Sequence, residues 1–265
     1  MMEQSIGQPL GRYRLKSTLG ERATGAVVKA HDVAFSRNVA IRIVRPQFAR
    51  RRDFRDRFLQ AARIATQLDH PGIVKALGYG QDGSLLYIVM EFIPGENLRE
   101  RLENFKKADG WIPLLDGVEI VRGVSLALDY ARQQGVQHPG IKPEDIVLKS
   151  EPNDCLPFRP IIADLGLDRL VVGGLVMQEG TPAYVSPEQM RGQETDARSD
   201  VYSMGVLFYE LATSKWPFLA KTAENADWAG TNETPPRPSS IRTNLPYALE
   251  YIILRALEKD PDDRY

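Results

Sequence analysis

The spacing of the apolar residues changes near Pro94-Gly95, and this change restricts the folds that the chain can adopt. Upstream, short β-branched runs bounded by turn residues predict strands. These runs lie at 26–28, 39–44 and 86–90, with one stretch of helical spacing at 54–68. Downstream, apolar residues recur at helical spacing. These stripes lie at 121–131, 201–211 and 247–257. The pattern predicts an α+β protein with a small β-rich lobe, containing one main helix, and a larger helical lobe.

Composition excludes several classes of protein. The chain has 265 residues and a formal net charge of −1, so no overall field favours nucleic acid or a membrane surface. A single cysteine, Cys155, excludes an internal disulfide, and the three histidines show no zinc spacing. No signal peptide or run of 18 apolar residues occurs. We expect a cytoplasmic domain cut from a longer protein, with any membrane anchor in segments outside this chain.

The segment 136–146 reads V-Q-H-P-G-I-K-P-E-D-I and has the spacing of the loop H-R-D-L-x-x-x-N. Six other motifs accompany it in a fixed order. They are the glycine-rich 19–27, strand 39–42, segment 90–93, Asp164-Leu165-Gly166, segment 180–188 and segment 200–205. Together they resemble the Hanks-type protein kinase domain in its bacterial Ser/Thr form. The resemblance implies a tail at 1–10, an N-lobe at 11–93 and a C-lobe at 94–265, in a bilobal kinase-like fold.

Several residues depart from the family pattern. The resemblance assigns the catalytic base to Gly140, which has no side chain to accept a proton. Pro139 replaces the arginine before the base, and Asp145 replaces the metal-binding asparagine. Arg42 replaces the phosphate-binding lysine, and Ala61 falls where the glutamate partner of that lysine is expected. These departures predict a pseudokinase that is not an enzyme.

The nucleotide site is better preserved than the catalytic loop. The resemblance assigns it ten residues: Leu19, Gly20, Val27, Ala40, Arg42, Met90, Glu91, Ile93, Val147 and Asp164. Within the glycine-rich segment, Arg22 replaces the middle glycine. Asp164 and Asp145 are the expected metal ligands, because hard cations prefer oxygen. The alternative is that the apolar members fill a core and that the glycine-rich segment is an ordinary hairpin. No cofactor is required on the pseudokinase interpretation, and binding of ATP, with or without Mg²⁺, stays open.

Other matched positions concern regulation and architecture. Residues 168–179 contain no Ser, Thr or Tyr, so this segment offers no acceptor for an activating phosphate. Glu188 and Arg264 match a buried ion pair of the family, and Asp200 matches a carboxylate that caps the backbone of the loop around His138. We therefore expect the frame of the fold to be retained.

Three functions are compatible with this pattern. The first is a scaffold or regulatory binding module in bacterial signalling, acting on an active kinase or on a second copy of the chain. Its candidate surface is the arginine segment, residues 45–57, which holds six arginines and is alternatively a plain solvated helix face. The second is a nucleotide-binding switch without phosphotransfer. The third is a weak atypical Ser/Thr kinase, with Lys29 and Lys142 supplying substitute charge.

Overall fold

The computed structural model describes residues 7–22, 24–151, 157–166, 184–218 and 233–265. The chain divides into two compact units, and the division between them falls at Pro94 and Gly95. Each unit is built from its own sheet and its own helices. Among the described residues, no helix has both the length and the apolar character needed to cross a membrane.

The first unit is built on an antiparallel sheet of six strands in the order β1-β2-β3-β4-β6-β5. The strands are β1 (Pro9–Leu10), β2 (Tyr13–Arg22), β3 (Gly25–Asp32), β4 (Arg37–Val44), β5 (Ala76–Asp82) and β6 (Leu85–Glu91). The three predicted strands are confirmed as parts of β3, β4 and β6. Side chains alternate between the two faces of a strand, and one face of this sheet carries a closed apolar cluster that includes Val28, Ile41 and Val89.

Two helices follow β4, namely α1 (Pro46–Ala49) and α2 (Arg52–Ala65). The buried residues of α2 are Phe54, Phe58, Ala62 and Ala65, which form one apolar stripe facing inward. The prediction of a helix here is confirmed, but the helix ends at Ala65. Leu68 lies beyond it and is still buried. The predicted end was too late because apolar spacing reports burial, and burial continues into the turn after the helix.

The second unit contains a three-stranded antiparallel sheet that the hydrophobic pattern did not predict. Its strands are β7 (Gly95–Asn97), β8 (Ile146–Ser150) and β9 (Phe158–Ile162), in that order. A Cβ atom on Gly95 would lie 2.2 Å from the carbonyl oxygen of Leu148, so only glycine permits this approach of β7 to β8. The three residues of β7 are too few to show a period of two.

The second unit contains one helix that is buried along most of its length. The described helices of this unit are α3 (Leu98–Lys107), α4 (Leu114–Gln133), α5 (Pro187–Met190), α6 (Ala197–Thr213) and α7 (Tyr247–Ala256). Helix α6 is buried along almost its whole length, and α4 and α7 pack against it. All three predicted helical stripes are confirmed. Helix α4 is followed by Gly135 with φ of +78°, a conformation that favours glycine.

A buried ion pair joins the start of α5 to the end of the chain. The guanidinium of Arg264 donates to both oxygens of Glu188, at 2.8 and 2.9 Å, and Ser199 donates to the same carboxylate at 2.7 Å. Arg264 also donates to three backbone carbonyls, those of Arg198, Glu258 and Lys259. Burial would raise the pKa of Glu188, but the hydrogen bonds from Arg264 and Ser199 outweigh it and lower that pKa to about 2. The predicted pair is confirmed.

Replacing Arg264 by methionine is expected to lower the free energy of unfolding by about 3–5 kcal/mol, because the buried Glu188 loses its counter-charge and three carbonyls lose a donor. Urea unfolding followed by circular dichroism measures this change. The matched control is Arg122→Met, which removes an arginine paired with Glu119 on the surface and should cost less than about 1 kcal/mol. Equal costs for the two variants would contradict the assignment.

Candidate functional site

One face of the first unit's sheet collects the predicted nucleotide residues. Val27 of β3 lies opposite Arg42 of β4, and Ala40 lies opposite Met90 of β6. Ala40 and Arg42 are two residues apart, so all four side chains project from the same face. Lys29 lies opposite Ala40 and joins this face. The sheet therefore presents an apolar surface flanked by two cations on the face opposite its apolar cluster.

The glycine-rich segment forms the β2–β3 hairpin, with Gly20 opposite Val27 and Arg22 opposite Gly25. Gly25 has a packing reason to be glycine, since a Cβ atom there would lie 1.9 Å from the carbonyl oxygen of Ile43. The side chain of Arg22 lies outside the described residues. Leu19, just before the hairpin glycine, is half exposed. The hairpin interpretation of this segment is thus correct as structure, and it leaves phosphate binding open.

Segment 90–93 carries the backbone groups that the resemblance assigned to the nucleotide, and one of them is already bonded within the protein. Met90 is buried, whereas Glu91 is exposed and Ile93 half-buried. The N–H of Glu91 donates to the carbonyl of Lys75 at 2.9 Å, so it is used within the protein. Phe92 packs under Lys29, whose Nζ lies 4.1 Å from the ring centroid. This contact holds the ammonium group of Lys29 beside the apolar face.

Arg42 is the buried cation of this face, with 3% of its surface exposed. A charge so deeply buried is retained only with polar or anionic neighbours. Ala61 lies on α2 and carries only a methyl group, so it cannot be the anionic partner. The sequence predicts that the lysine–glutamate pair of the family is missing. Arginine at 42 and alanine at 61 cannot form that pair.

In the second unit, His138 organises the loop that follows α4. The imidazole is buried, and its Nε2 lies 3.0 Å from the carbonyl oxygen of Asp164. Because a carbonyl only accepts, Nε2 carries the proton. The same nitrogen lies 3.9 Å from a carboxylate oxygen of Asp145. The N–H of Ala163 donates to the carbonyl of Asp145 at 2.8 Å. His138 therefore holds the two aspartate-bearing segments together.

Gly140 occupies a backbone conformation that other residues rarely adopt. Its φ is +113°, and a Cβ atom there would lie 3.3 Å from the carbonyl oxygen of Tyr184. That carbonyl accepts a hydrogen bond from Ser203 at 2.7 Å, which holds it in place. The loop is thus built for glycine at this position.

Asp145 and Asp164 are the two carboxylates that the sequence assigned to a metal. Asp164 is buried, and one of its oxygens accepts from the N–H of Gly166 at 2.8 Å. Asp145 is fully buried in the 3₁₀ turn Pro143–Asp145. Carboxylate oxygens are suitable ligands for Mg²⁺, so the donor chemistry fits, with Asp164 as the more accessible ligand. Among the described residues, no group of three or more metal-binding side chains occurs.

Asp200, in the first turn of α6, is buried, and its Oδ1 has no hydrogen-bond partner in the described part of the chain. The sequence predicted that it caps the loop backbone, but Pro139 has no N–H to donate. Burial raises the pKa of Asp200 to about 7, against the opposing charge of Arg132 and with a smaller contribution from Asp196. Asp200 is therefore a poorly solvated carboxyl group at the start of α6.

Of the remaining predicted positions, some lie in the part of the chain that the structure describes and others lie outside it. Val147 lies in β8, half-buried, opposite Asn97 and Ile161. With Asp164 it belongs to the second unit, whereas the other residues assigned to the nucleotide belong to the first. The segment without phosphate acceptors, residues 168–179, lies outside the described residues, as does Cys155.

Sequence reasoning missed a buried polar cluster centred on Arg99, at the start of α3. Arg99 donates to Glu144 at 2.9 Å, in the turn after the loop, and also pairs with Glu210 of α6. A signal was present, because Glu210 lies next to Leu211 within the apolar stripe predicted at 201–211. A carboxylate in such a place requires a partner.

Comparison with known proteins agrees with the fold. The protein kinase domain model matches residues 13–265. A probable serine/threonine-protein kinase of Streptomyces coelicolor is 36% identical over 265 residues, covering 96% of this chain and 38% of its own length. PknB of Mycobacterium leprae, also a serine/threonine-protein kinase, is 34% identical over 263 residues, covering 96% and 41%. The chain thus spans less than half the length of these bacterial relatives.

Solved kinase structures share the architecture. The Mycobacterium tuberculosis PknI kinase domain superposes with a TM-score of 0.77 at 27% identity, covering 98% of this chain and 93% of that one. Rad53 1–466, solved in complex with AMP-PNP, superposes with a TM-score of 0.78 at 25% identity, covering 96% and 62%. The predicted α+β kinase-like fold and the Hanks-type resemblance are confirmed.

The expectation that the chain is not an enzyme is wrong. Relatives at 34% and 36% identity over most of the chain are named serine/threonine-protein kinases, which points to an enzyme. The prediction rested on several altered positions taken together, Gly140 among them. A general base contributes only about 10²–10⁴ to a rate, whereas phosphoryl transfer depends mainly on positioning and on charge stabilisation.

The pKa of Asp200 predicts how stability changes with pH. The folded protein holds a proton on this group up to about pH 7, whereas the unfolded chain releases it near 3.8. Stability from this group is therefore complete below about pH 4 and is lost as pH rises through 7, by at most about 4 kcal/mol. Asp200→Asn should abolish this part of the slope in urea unfolding between pH 5 and 8. The exposed Asp69→Asn controls for net charge, and equal slopes in wild type and Asp200→Asn would contradict the prediction.

Proposed function

Because the chain belongs to the protein kinase domain family, we propose that it is a Ser/Thr protein kinase with an altered catalytic apparatus. It would transfer the γ-phosphoryl group of ATP to a serine or threonine hydroxyl of a protein. The names of its relatives support this reaction class, and the AMP-PNP complex of Rad53 supports a nucleotide ligand.

The observation that carries the proposal is the shared sheet face of the first unit. Val27, Ala40 and Met90 supply an apolar surface suited to a purine ring, and Arg42 and Lys29 supply positive charge for phosphates on the same face. Arg42 thus places a buried positive charge, at 3% exposure, beside the apolar residues of this face. Arginine in place of lysine offers a planar fork that can contact two phosphate oxygens.

Asp164 and Asp145, both in the second unit, would hold Mg²⁺, which would supply positive charge for phosphate. His138 positions both aspartates through the contacts at its Nε2. These residues orient and stabilise charge, which is the larger part of catalysis in phosphoryl transfer.

The reaction proceeds without a side-chain base at 140. The bond from the γ-phosphorus to the bridging oxygen breaks, the acceptor oxygen bonds to that phosphorus, and the hydroxyl proton passes to solvent. Loss of the base lowers the rate by about 10²–10⁴ from the 1–100 s⁻¹ typical of kinases. We expect a turnover number of about 10⁻⁴ to 1 s⁻¹.

Radiolabelled transfer from [γ-³²P]ATP with Mg²⁺ to the chain itself and to casein tests the proposal. Slow transfer is expected in the wild type and should disappear in Asp164→Asn. Arg42→Met should raise the KM for ATP about tenfold or more, because a phosphate contact is lost. Arg37→Met, an exposed arginine on the same strand, is the matched control.

Thermal melting with ATP, with and without Mg²⁺, accompanies the transfer assay. A shift in melting temperature without detectable label would refute the kinase proposal and identify a nucleotide-binding switch instead. Absence of both signals would refute nucleotide binding as well.

We also propose that the arginine segment docks an acidic surface of a protein partner, either a second copy of the chain or another kinase. Arg51, at the N-cap of α2, makes no capping hydrogen bond, and Arg52 follows it with 88% of its side chain exposed. Cations at a helix N-terminus oppose the helix dipole, at about 0.3–1 kcal/mol each, and this cost is offset in part by the exposed pairs Arg51–Asp53 at 2.8 Å and Arg52–Asp56 at 3.7 Å. Phe48 and Phe54 pack together at 5.6 Å and Phe54 is buried, which leaves charge as the recognition feature.

Reversing Arg50, Arg51 and Arg52 to glutamate should abolish self-association, or capture of a purified partner kinase, at low ionic strength. Analytical ultracentrifugation at 50 and 500 mM salt measures this, and the wild-type association should weaken at high salt. Lys106→Glu with Lys107→Glu on the exposed end of α3 is the control. Unchanged sedimentation and capture in the triple variant would eliminate this surface.

A further inference from the structure

The polar cluster around Arg99 joins four separate parts of the second unit. We define the Arg99 junction as Arg99 of α3, Glu144 of the turn after the Gly140 loop, Tyr184, and Glu210 of α6. These residues are far apart in sequence, since Arg99 and Glu210 are separated by 111 positions along the chain. The cluster is mostly buried, since Arg99 has 19% and Glu210 6% of its side chain exposed.

The guanidinium uses all three nitrogens. Its Nε donates to Glu144 at 2.9 Å, Nη1 donates to Glu210 at 2.5 Å, and Nη2 donates to the hydroxyl of Tyr184 at 2.7 Å. Tyr184 in turn donates to Glu210 and accepts from Nε1 of Trp216 at 3.1 Å. A lysine ammonium could not make these bonds in one plane, so the site is specific for arginine.

Ionisation keeps the directions of these bonds fixed. Burial and the charge of Glu210 raise the pKa of Tyr184, so its hydroxyl keeps its proton and can donate to that carboxylate. Burial works against the charge of Arg99, but Tyr184, Glu210 and Glu144 together raise its pKa above the usual range. The two carboxylates exceed the single guanidinium by one negative charge, which makes the junction dependent on Arg99.

The junction lies next to Gly140 on two sides. Glu144 is four residues after Gly140 in the same loop, and the carbonyl of Tyr184 is the nearest atom to a Cβ placed on Gly140, at 3.3 Å. Arg99 contacts both Glu144 and the side chain of Tyr184. One guanidinium thus connects the loop to the segment that faces it.

We infer that Arg99 is a positioning residue that sets the distance between the Gly140 loop and the Tyr184 segment, and thereby orients the protein acceptor rather than ATP. The expected effect on catalysis rests on the proposed kinase function. The expected effect on the position of the loop rests on the contacts of Arg99 alone. Arg99 touches neither the sheet face assigned to the nucleotide nor the metal ligands in any described contact. Its loss should therefore affect the acceptor selectively.

The structural consequence is tested by ¹⁵N NMR of the full chain. Trp216 bonds directly to Tyr184, so its indole N–H signal reports on the junction, while the Gly140 amide reports on the loop. In Arg99→Ala both signals should move, and that of Trp111, which packs on Arg242, should stay. Arg99→Lys retains charge without the planar fork and should move both signals too, which keeps the test decisive if Arg99→Ala does not fold.

Chemical rescue separates a positioning role from a merely structural one. Guanidinium at 20 mM should return the Trp216 and Gly140 signals of Arg99→Ala toward the wild-type positions, whereas 20 mM sodium should not. Tyr184→Phe removes the hydrogen bond from Arg99 to the Tyr184 segment, while leaving the pairs of Arg99 with Glu144 and Glu210. If Arg99 acts through Tyr184, the effects of Arg99→Ala and Tyr184→Phe on the Gly140 signal should be non-additive.

The catalytic consequence is tested by kinetics. Arg99→Ala should lower kcat/KM for a protein acceptor by roughly 10- to 100-fold, the scale expected for a small misplacement of a reacting group, with KM for ATP unchanged. An unmoved Gly140 signal in Arg99→Ala and Arg99→Lys would overturn the inference. A rise in KM for ATP equal to the loss on the acceptor would overturn its selectivity. Absence of transfer in the wild type, with the NMR effects present, would reject the proposed function and leave the positioning role standing.

Discussion

The bidentate ion pair between Glu188 and Arg264 is the contact on which the second unit depends. It is buried, and the same guanidinium also holds the carbonyl of Arg198, just inside the first turn of α6, and those of the turn after α7. The first turn of helix α6, which carries Asp200, is thereby held in place. Four further residues from that helix, Ser199, Ser203, Tyr209 and Glu210, fix the segments above it through hydrogen bonds. A chain that lost catalytic side chains but kept this pair would keep its loop geometry.

Much of the fold was predictable, because one-sided burial leaves a periodic trace in the sequence. The strands around Val28, Ile41 and Val89 and the helix that buries Phe54 all carried it. The sheet β7-β8-β9 did not, because β7 is only three residues long and exists through its contact with Leu148. Arg99 was missed for a related reason. Its partners lie in segments brought together only by folding, and no local pattern marks them.

The site residues show that a departure from a family motif has more than one physical meaning. Gly25 fits a phosphate-binding motif, yet its close approach to Ile43 would require glycine in any case. Pro139 removes a side chain and also a backbone donor, since proline has no N–H. The prediction of inactivity failed because altered side chains were taken as evidence that catalysis is lost. Phosphoryl transfer depends more on charge stabilisation than on proton removal.

The backbone at Gly140 has a consequence for how this sequence could change over time. With φ at +113° and the Tyr184 carbonyl held beside it by Ser203, the loop has settled into a conformation that excludes a larger residue without strain. Regaining an aspartate by one substitution would therefore cost stability before any gain in rate. A larger side chain at this position would require the loop and the facing carbonyl of Tyr184 to move together.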